Sequence, residues 1–209
     1  MLSRTRALLR RLRTDVAGST LVEFAMALPV MIGIYVGGFE LSMAISCSRN
    51  VAAATHTLTD LASQCSGITS TGDATNACWI NNIFGATAVI MQPFNSANAN
   101  MRLSEVQIIN GTQMQVVWSA VQNGSTTNAY TALTAGSRLA IPSTLTPANA
   151  GALFPNSVAG GLAPQGIFLL IGEVTQPYTP AVTYNNMTNF NFSEQIYMAP
   201  RLSSSVSYS

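Results

Sequence analysis

Gly18 to Ile45 reads GSTLVEFAMALPVMIGIYVGGFELSMAI, an apolar stretch that opens on a glycine and carries Glu23 five residues later. It exceeds the ~20 apolar residues that span a bilayer as a helix. A carboxylate in hydrocarbon costs roughly 2.5–3.5 kcal/mol, so an acidic residue near the head of such a stretch marks a functional position. Five of the nine basic residues (Arg4, Arg6, Arg10, Arg11 and Arg13) precede the glycine. Arginine-rich flanks stay on the cytoplasmic side, and only Arg49 lies close behind the stretch. The expected organisation is a basic cytoplasmic leader over 1–18, a transmembrane helix over 19–46, and an extracytoplasmic domain over 47–209.

About 160 residues remain beyond the membrane segment, enough for one compact domain. They are rich in Asn, Ser, Thr, Ala and Gly, and lysine is absent from the chain. Arg49, Arg102, Arg138 and Arg201 stand against Asp60, Asp73, Glu105, Glu173 and Glu194. The overall charge of +1 therefore joins a basic head to a slightly acidic body. With no basic patch outside the leader, nucleic acid is excluded as a partner on electrostatic grounds, and membrane lipid is the expected one. Cys65 and Cys78 are near enough in sequence to close a short loop, whereas Cys47 sits at the membrane boundary and is left over from an odd count. Two readings stay open: a Cys65–Cys78 disulfide, or three reduced, buried cysteines.

The helical signal begins at Ser19, with Ser19 or Thr20 as N-cap and Glu23 at capping-box spacing. Pro29 inside the helix frees the carbonyl of Ala25 and predicts a kink. Gly33 and Gly37 form a G-x-x-x-G pair that permits close approach by another helix, or simply reflects the tolerance of glycine in membrane helices. Val51, Leu58, Leu61 and Ala62 continue the helix with one apolar face, so a single rod passes from lipid onto the soluble domain. Ala77 to Met91 reads as a second helix, capped by Thr75 or Asn76. Leu103 to Ile109, Asn110-Gly111 and Thr112 to Ala120 form the strongest hairpin signal in the chain, with Met114, Val116 and Trp118 alternating along its second strand. Residues 123–164 hold many Gly, Pro, Asn and Ser, with two short helices expected, one of them starting at Thr146-Pro147. Gly166 to Gln176 reads as a buried strand ended by Pro177. Gln195 to Tyr208 reads as a last strand at an edge, interrupted by Pro200. The fold class expected is α+β: a long N-terminal helix, transmembrane and extending into the soluble domain, packed on a small antiparallel sheet of three or four strands in a pilin-like manner.

For catalysis the chain offers little. His56 is the single histidine and lies among Thr and Ala. No acidic or cysteine cluster has metal-ligand spacing, and no nucleophile elbow, phosphate loop or dinucleotide fingerprint occurs. An enzyme is not expected, nor is a cofactor or a metal. Glycosylation sequons at Asn110, Asn123, Asn186 and Asn191 carry weight only if the chain passes a glycosylating compartment.

Glu23 has two readings. It is an interfacial glutamate favoured by the helix dipole, or it pairs with an α-amino group created by cutting after Gly18 on a neighbouring subunit. Two charges ~4 Å apart attract by about 4 kcal/mol at an effective dielectric of 20, enough to offset the cost of the carboxylate and set axial register. Glu40 is expected to reach the far headgroup region or a neighbouring chain.

Gly18-Ser19-Thr20-Leu21-Val22-Glu23-Phe24 resembles a type IV prepilin processing site, with Gly18 and Ser19 flanking the cut. The longer run LVEFAMALPV resembles the TadE-like family of the tight-adherence (Tad/Flp) pilus system, whose members carry such a segment, an apolar helix and a small extracytoplasmic domain. Glu173-Val174 through Tyr178-x-Pro180 and Met198-Ala199-Pro200-Arg201 are similar to later family motifs. The resemblance implies a pseudopilin or minor-pilin-like component of a Tad-type pilus assembly and secretion system, supporting pilus biogenesis and surface adherence. It also implies an inner (cytoplasmic) membrane location with a periplasmic or pilus-borne domain. The implied partners are other pilin or pseudopilin subunits, the inner-membrane assembly platform and a prepilin peptidase. Glu23 and Phe24 would act in assembly and register. Phe24 stands where major Flp-type pilins usually carry Tyr, and the domain is far larger than theirs, which argues against the main fibre subunit. The alternatives are an uncleaved single-pass envelope protein with a partner-binding periplasmic domain, and a signal peptide or lipoprotein ending near Cys47. Against the last, Ala44-Ile45-Ser46-Cys47 is a poor lipobox and the apolar stretch is too long.

Overall fold

The computed structural model describes residues 17–72, 75–110, 112–142, 145, 167–181 and 190–209. The first element, α1, is a helix over Ala17–Ser63. The chain divides into two compact units, one ending at Met43 and one comprising Ala44–Ser209. In the first, α1 includes Ser19 and Thr20 in its opening turn, so neither is the N-cap expected of it. Ala17 is a strong helix former, and Gly18 behind it does not end the helix. The helix also continues through Pro29.

In the second unit, α1 carries an apolar stripe. Cys47, Val51, Ala54, Leu58 and Ala62 are buried at the spacing of one helix face, with Thr55 and Thr59 alongside. The two buried hydroxyls are satisfied without leaving the helix: Thr55 Oγ1 donates to the Val51 carbonyl and Thr59 Oγ1 to the Thr55 carbonyl, each at 2.8 Å. Leu61, expected on this face, is only partly buried, and His56 is exposed.

Beyond α1 come β1 (Gly67–Ile68), α2 (Ile80–Ile90), a short 3-10 turn (Ser96–Asn98), β2 (Asn100–Ile108), β3 (Gln113–Asn123), β4 (Arg138–Ala140), β5 (Phe168–Tyr178), β6 (Phe190–Met198) and β7 (Ser207–Tyr208). The main sheet has five strands in the order β4-β3-β2-β5-β6, and β1 pairs with β7 in a separate two-stranded sheet. All pairings in the main sheet are antiparallel. The arrangement is α+β as expected, but the sheet is larger than three or four strands. The additional strand is β4, three residues long and too short to declare itself by alternation.

Three other expectations need correction. The second helix starts at Ile80 rather than Ala77, because Cys78 is tied by a disulfide to Cys65 and Trp79 bridges to Thr69. Pro177 does not end β5, which runs on to Tyr178. Pairing with β2 has finished at Thr175, so on that side the strand is an edge and the missing N–H breaks no ladder. Trp118 does not share a face with Met114 and Val116. Glu105 pairs with Trp118 and Val106 with Val116, leaving Val117 as an extra residue that flips the alternation. The hairpin itself forms, with Asn110 Oδ1 accepting from the backbone N–H of Thr112 and Gln113. After β6 the chain leaves the main sheet, and β7 joins β1. The short helix expected at Thr146-Pro147 lies outside the described residues.

Two apolar clusters line the two faces of the sheet. One joins α1 and α2 to Met101, Leu103, Leu170 and Val174. The other gathers Val106, Ile108, Met114, Val116, Leu169 and Ile171 on the opposite face. Gly172 sets the approach of α1 to the sheet: a Cβ there would lie 2.0 Å from Thr59 Oγ1 and 3.3 Å from Thr59 Cβ. Gly172→Ala is expected to destabilise the domain by about 1–3 kcal/mol, as overpacking does. Thr59→Ala in the same chain should return part of that loss, because the hydroxyl is the nearer obstacle. Chemical denaturation of the two single variants and the double variant measures the coupling.

Candidate functional site

The first unit presents an apolar surface all round its helix. Leu21, Val22, Phe24, Met26, Ile34 and Tyr35 are each more than half exposed, and they point in every direction about the axis. None of the most apolar 18-residue window of α1 is buried. Soluble helices bury one stripe, so a helix apolar on all sides suits lipid or the company of other apolar helices. Glu23 is exposed within this surface. Gly33 and Gly37 have no atom within 4 Å of where a Cβ would sit, so the backbone there is open to close approach. Gly18 and Ser19 lie in the first turn. Glu23, Phe24, Pro29, Gly33 and Gly37 thus share one helix. Cys65 and Cys78 belong to the second unit, where they form a disulfide with a Cα–Cα separation of 5.8 Å across 13 residues. Closing such a loop stabilises the fold by about 3 kcal/mol through the entropy of the unfolded chain.

Residues 18–64 match the TadE-like protein family model. This segment coincides with α1 to within one residue at each end. No curated protein and no solved structure matches the chain. The TadE-like segment therefore carries both the apolar surface and the stripe that packs on the sheet.

The second unit holds two polar groupings that sequence reading did not identify. Glu105 is 1% exposed, between the sheet and the segment that follows β6. Its carboxylate accepts from the Trp118 indole N–H at 3.1 Å and from the Val206 backbone N–H. The same indole donates to the Val206 carbonyl at 2.7 Å, and Tyr208 stacks on Trp118 at 5.0 Å. Arg201 adds a pair with Asp60 at 2.8 Å and a backbone bond to the Ser63 carbonyl. The segment from Arg201 to Tyr208 is thus strapped across the end of the TadE-like helix and the sheet.

The second grouping lies on the opposite sheet face. Arg102 and Glu173, neighbours on β2 and β5, form a two-pronged ion pair, Nε to Oε2 and Nη2 to Oε1, the latter at 2.8 Å. Arg102 lies 4.7 Å from the centre of the Tyr130 ring and donates to the Thr131 carbonyl at 3.1 Å. Asn123 positions that tyrosine by exchanging two bonds with its backbone, at 2.7 and 2.9 Å, and Tyr130 Oη meets Thr175 Oγ1 at 2.7 Å. Gln195 Nε2 donates to Glu173 Oε1 at 3.3 Å. Burial raises the Tyr130 hydroxyl pKa, which the bond to Thr175 partly offsets. Burial, with the charge of Glu173, pushes Tyr197 up to about 12. A half-open cleft of about 210 Å³ is bounded by Arg102, Glu173, Gln195 and Tyr197 on its polar side and by Leu133 and Leu139 on its apolar side. The signal available in the sequence was a charge inside each of two apolar strands, Arg102 in MRLSEV and Glu173 in LLIGEV.

Burial raises the Glu105 pKa, against two hydrogen bonds that lower it. A carboxyl raised above its unfolded value of about 4.3 favours the folded state fully below that value. The contribution is lost as pH rises through the folded-state pKa. Thermal melts of the full chain in nanodiscs across this window should show that decline, and Glu105→Gln should remove it. Glu105→Gln should also cost about 1–3 kcal/mol, since its amide NH₂ replaces an acceptor that one of the two N–H donors needs.

Proposed function

We propose that the chain is a membrane-anchored pseudopilin or minor-pilin-like component of a bacterial Tad-type pilus assembly and secretion system. The observation that carries this reading is the match of residues 18–64 to the TadE-like family on a helix that is apolar all round in its first half. The family match associates the chain with the Tad pilus machinery in general. Among the described residues one helix, Thr20–Ser63, is long and apolar enough to cross a membrane.

In this reading residues 1–18 remain in the cytoplasm until a prepilin peptidase cuts between Gly18 and Ser19, and residues 47–209 face the periplasm or an assembled pilus. The new α-amino group of Ser19 on one subunit pairs with the Glu23 carboxylate of a neighbour. That pairing offsets the cost of an acidic group in hydrocarbon and fixes the axial stagger of packed helices. Gly33 and Gly37 supply a face where a second helix approaches closely. The chain then supports pilus biogenesis and adherence as an accessory subunit rather than as the main fibre.

The mature N-terminus is the test. Mass spectrometry of the protein from its native membrane is expected to find Ser19 first, with Gly18→Leu leaving the leader attached. An intact Met1 in the parent chain overturns processing and favours an uncleaved envelope anchor. Glu23→Ala is expected to insert and to lose its leader yet fail to assemble. Assembly and adherence at the parental level would remove Glu23 from register setting.

A further inference from the structure

The cleft on the sheet face opposite the TadE-like helix has a lining that the packing of the domain does not require. The Arg102 and Glu173 side chains are 16% and 10% exposed, in a cleft that Gln195, Tyr197 and the apolar Met114, Leu133, Leu139 and Ile171 also line. A nearly buried ion pair is generally no more stabilising than apolar side chains of similar volume. What the pair does supply is a polar floor of zero net charge. Arg102 is held on both prongs by Glu173, so an anion gains little from it, and a cation gains little from Glu173. The floor suits a neutral ligand that offers both donors and acceptors.

The remaining valences fit such a ligand. Glu173 Oε1 already accepts from Arg102 and Gln195, but Oε2 accepts one bond and keeps a further lone pair, and Gln195 keeps its amide oxygen. The Tyr197 hydroxyl meets no hydrogen-bonding partner among the described residues, and with its pKa near 12 it stays a donor. Leu133 and Leu139 add apolar surface to the same cleft. At about 210 Å³ the cleft falls below the ~300 Å³ at which drug-sized sites begin, so it takes one ring or one side chain. An apolar side chain would leave the Gln195 amide oxygen, the Tyr197 hydroxyl and the open Glu173 Oε2 site without partners. A sugar ring presents hydroxyls to that floor and C–H groups to the leucines.

We infer that the sheet-face cleft between Tyr197–Gln195 and Leu133–Leu139 is a binding site for one neutral saccharide unit. The site lies wholly within Ala44–Ser209 and does not depend on how the N-terminus is processed.

The test uses the full chain in lipid nanodiscs and saturation-transfer NMR with glucose, galactose, mannose and N-acetylglucosamine as probes. At least one is expected to bind with Kd on the order of 1 mM. Gln195→Ala with Tyr197→Phe should weaken it about tenfold or more at an unchanged melting temperature. Should the double variant melt early, Tyr197→Phe alone, which deletes one oxygen on a half-buried ring, carries the test and should weaken binding several-fold. The inference is overturned if a folded parent chain binds none of the four, or if the variants bind as the parent does. It is also overturned if glucuronate or glucosamine binds more tightly than its neutral parent sugar. Leucine- or phenylalanine-containing peptides that occupy the cleft while sugars do not would assign it to a protein partner instead.

Discussion

Where Thr55 and Thr59 of α1 meet Gly172 of β5, helix and sheet are closer than any side chain on the strand would permit. The rest of the second unit depends on this approach. It lets the stripe of Val51, Ala54, Leu58 and Ala62 reach the cluster of Met101, Leu103, Leu170 and Val174. Two polar hydroxyls can stand at the contact because each spends its proton on a carbonyl one turn earlier in the same helix. The helix surface there is polar in composition but satisfied in fact, which is what a dry interface demands.

Around that contact the domain is tied at the end of α1 by three different kinds of bond. The disulfide closes the loop after the helix, β7 adds to β1, and the strap from Arg201 to Tyr208 passes over Trp118 and Glu105. The carboxylate at this junction is buried against two N–H donors, and burial dominates its protonation. With one sheet face committed to the helices, the other is left to a smaller cluster and to the Arg102–Glu173 pair. Among the described residues the domain thus packs its helices on one sheet face and carries a mixed polar and apolar cleft on the other.

The TadE-like helix performs two jobs by changing pattern along its length. Up to Ile45 apolar residues appear on all sides; beyond Cys47 they collect on one. The same local geometry thus carries two surface patterns, and no break in the helix is needed between them.

Much of this was readable in the chain. The arginine-rich head, the long apolar run and the early Glu23 mark the candidate membrane span, because insertion depends on composition over some twenty consecutive residues. Val51, Leu58 and Ala62 declare the inward face of the helix by period alone, and Asn110-Gly111 declares the hairpin. What the chain did not disclose depends on partners distant in sequence. The flip at Val117 follows from a register shift against β2, and the persistence of β5 through Pro177 follows from where β2 stops. The pairing of Arg102 with Glu173 and the seating of Val206 on Glu105 join residues 71 and 101 positions apart. Local pattern determined the helix, its apolar first half and the hairpin; only the packed sheet, by bringing far-separated polar side chains into a low-dielectric interior where they must find one another, decided where the cleft and the buried carboxylate lie.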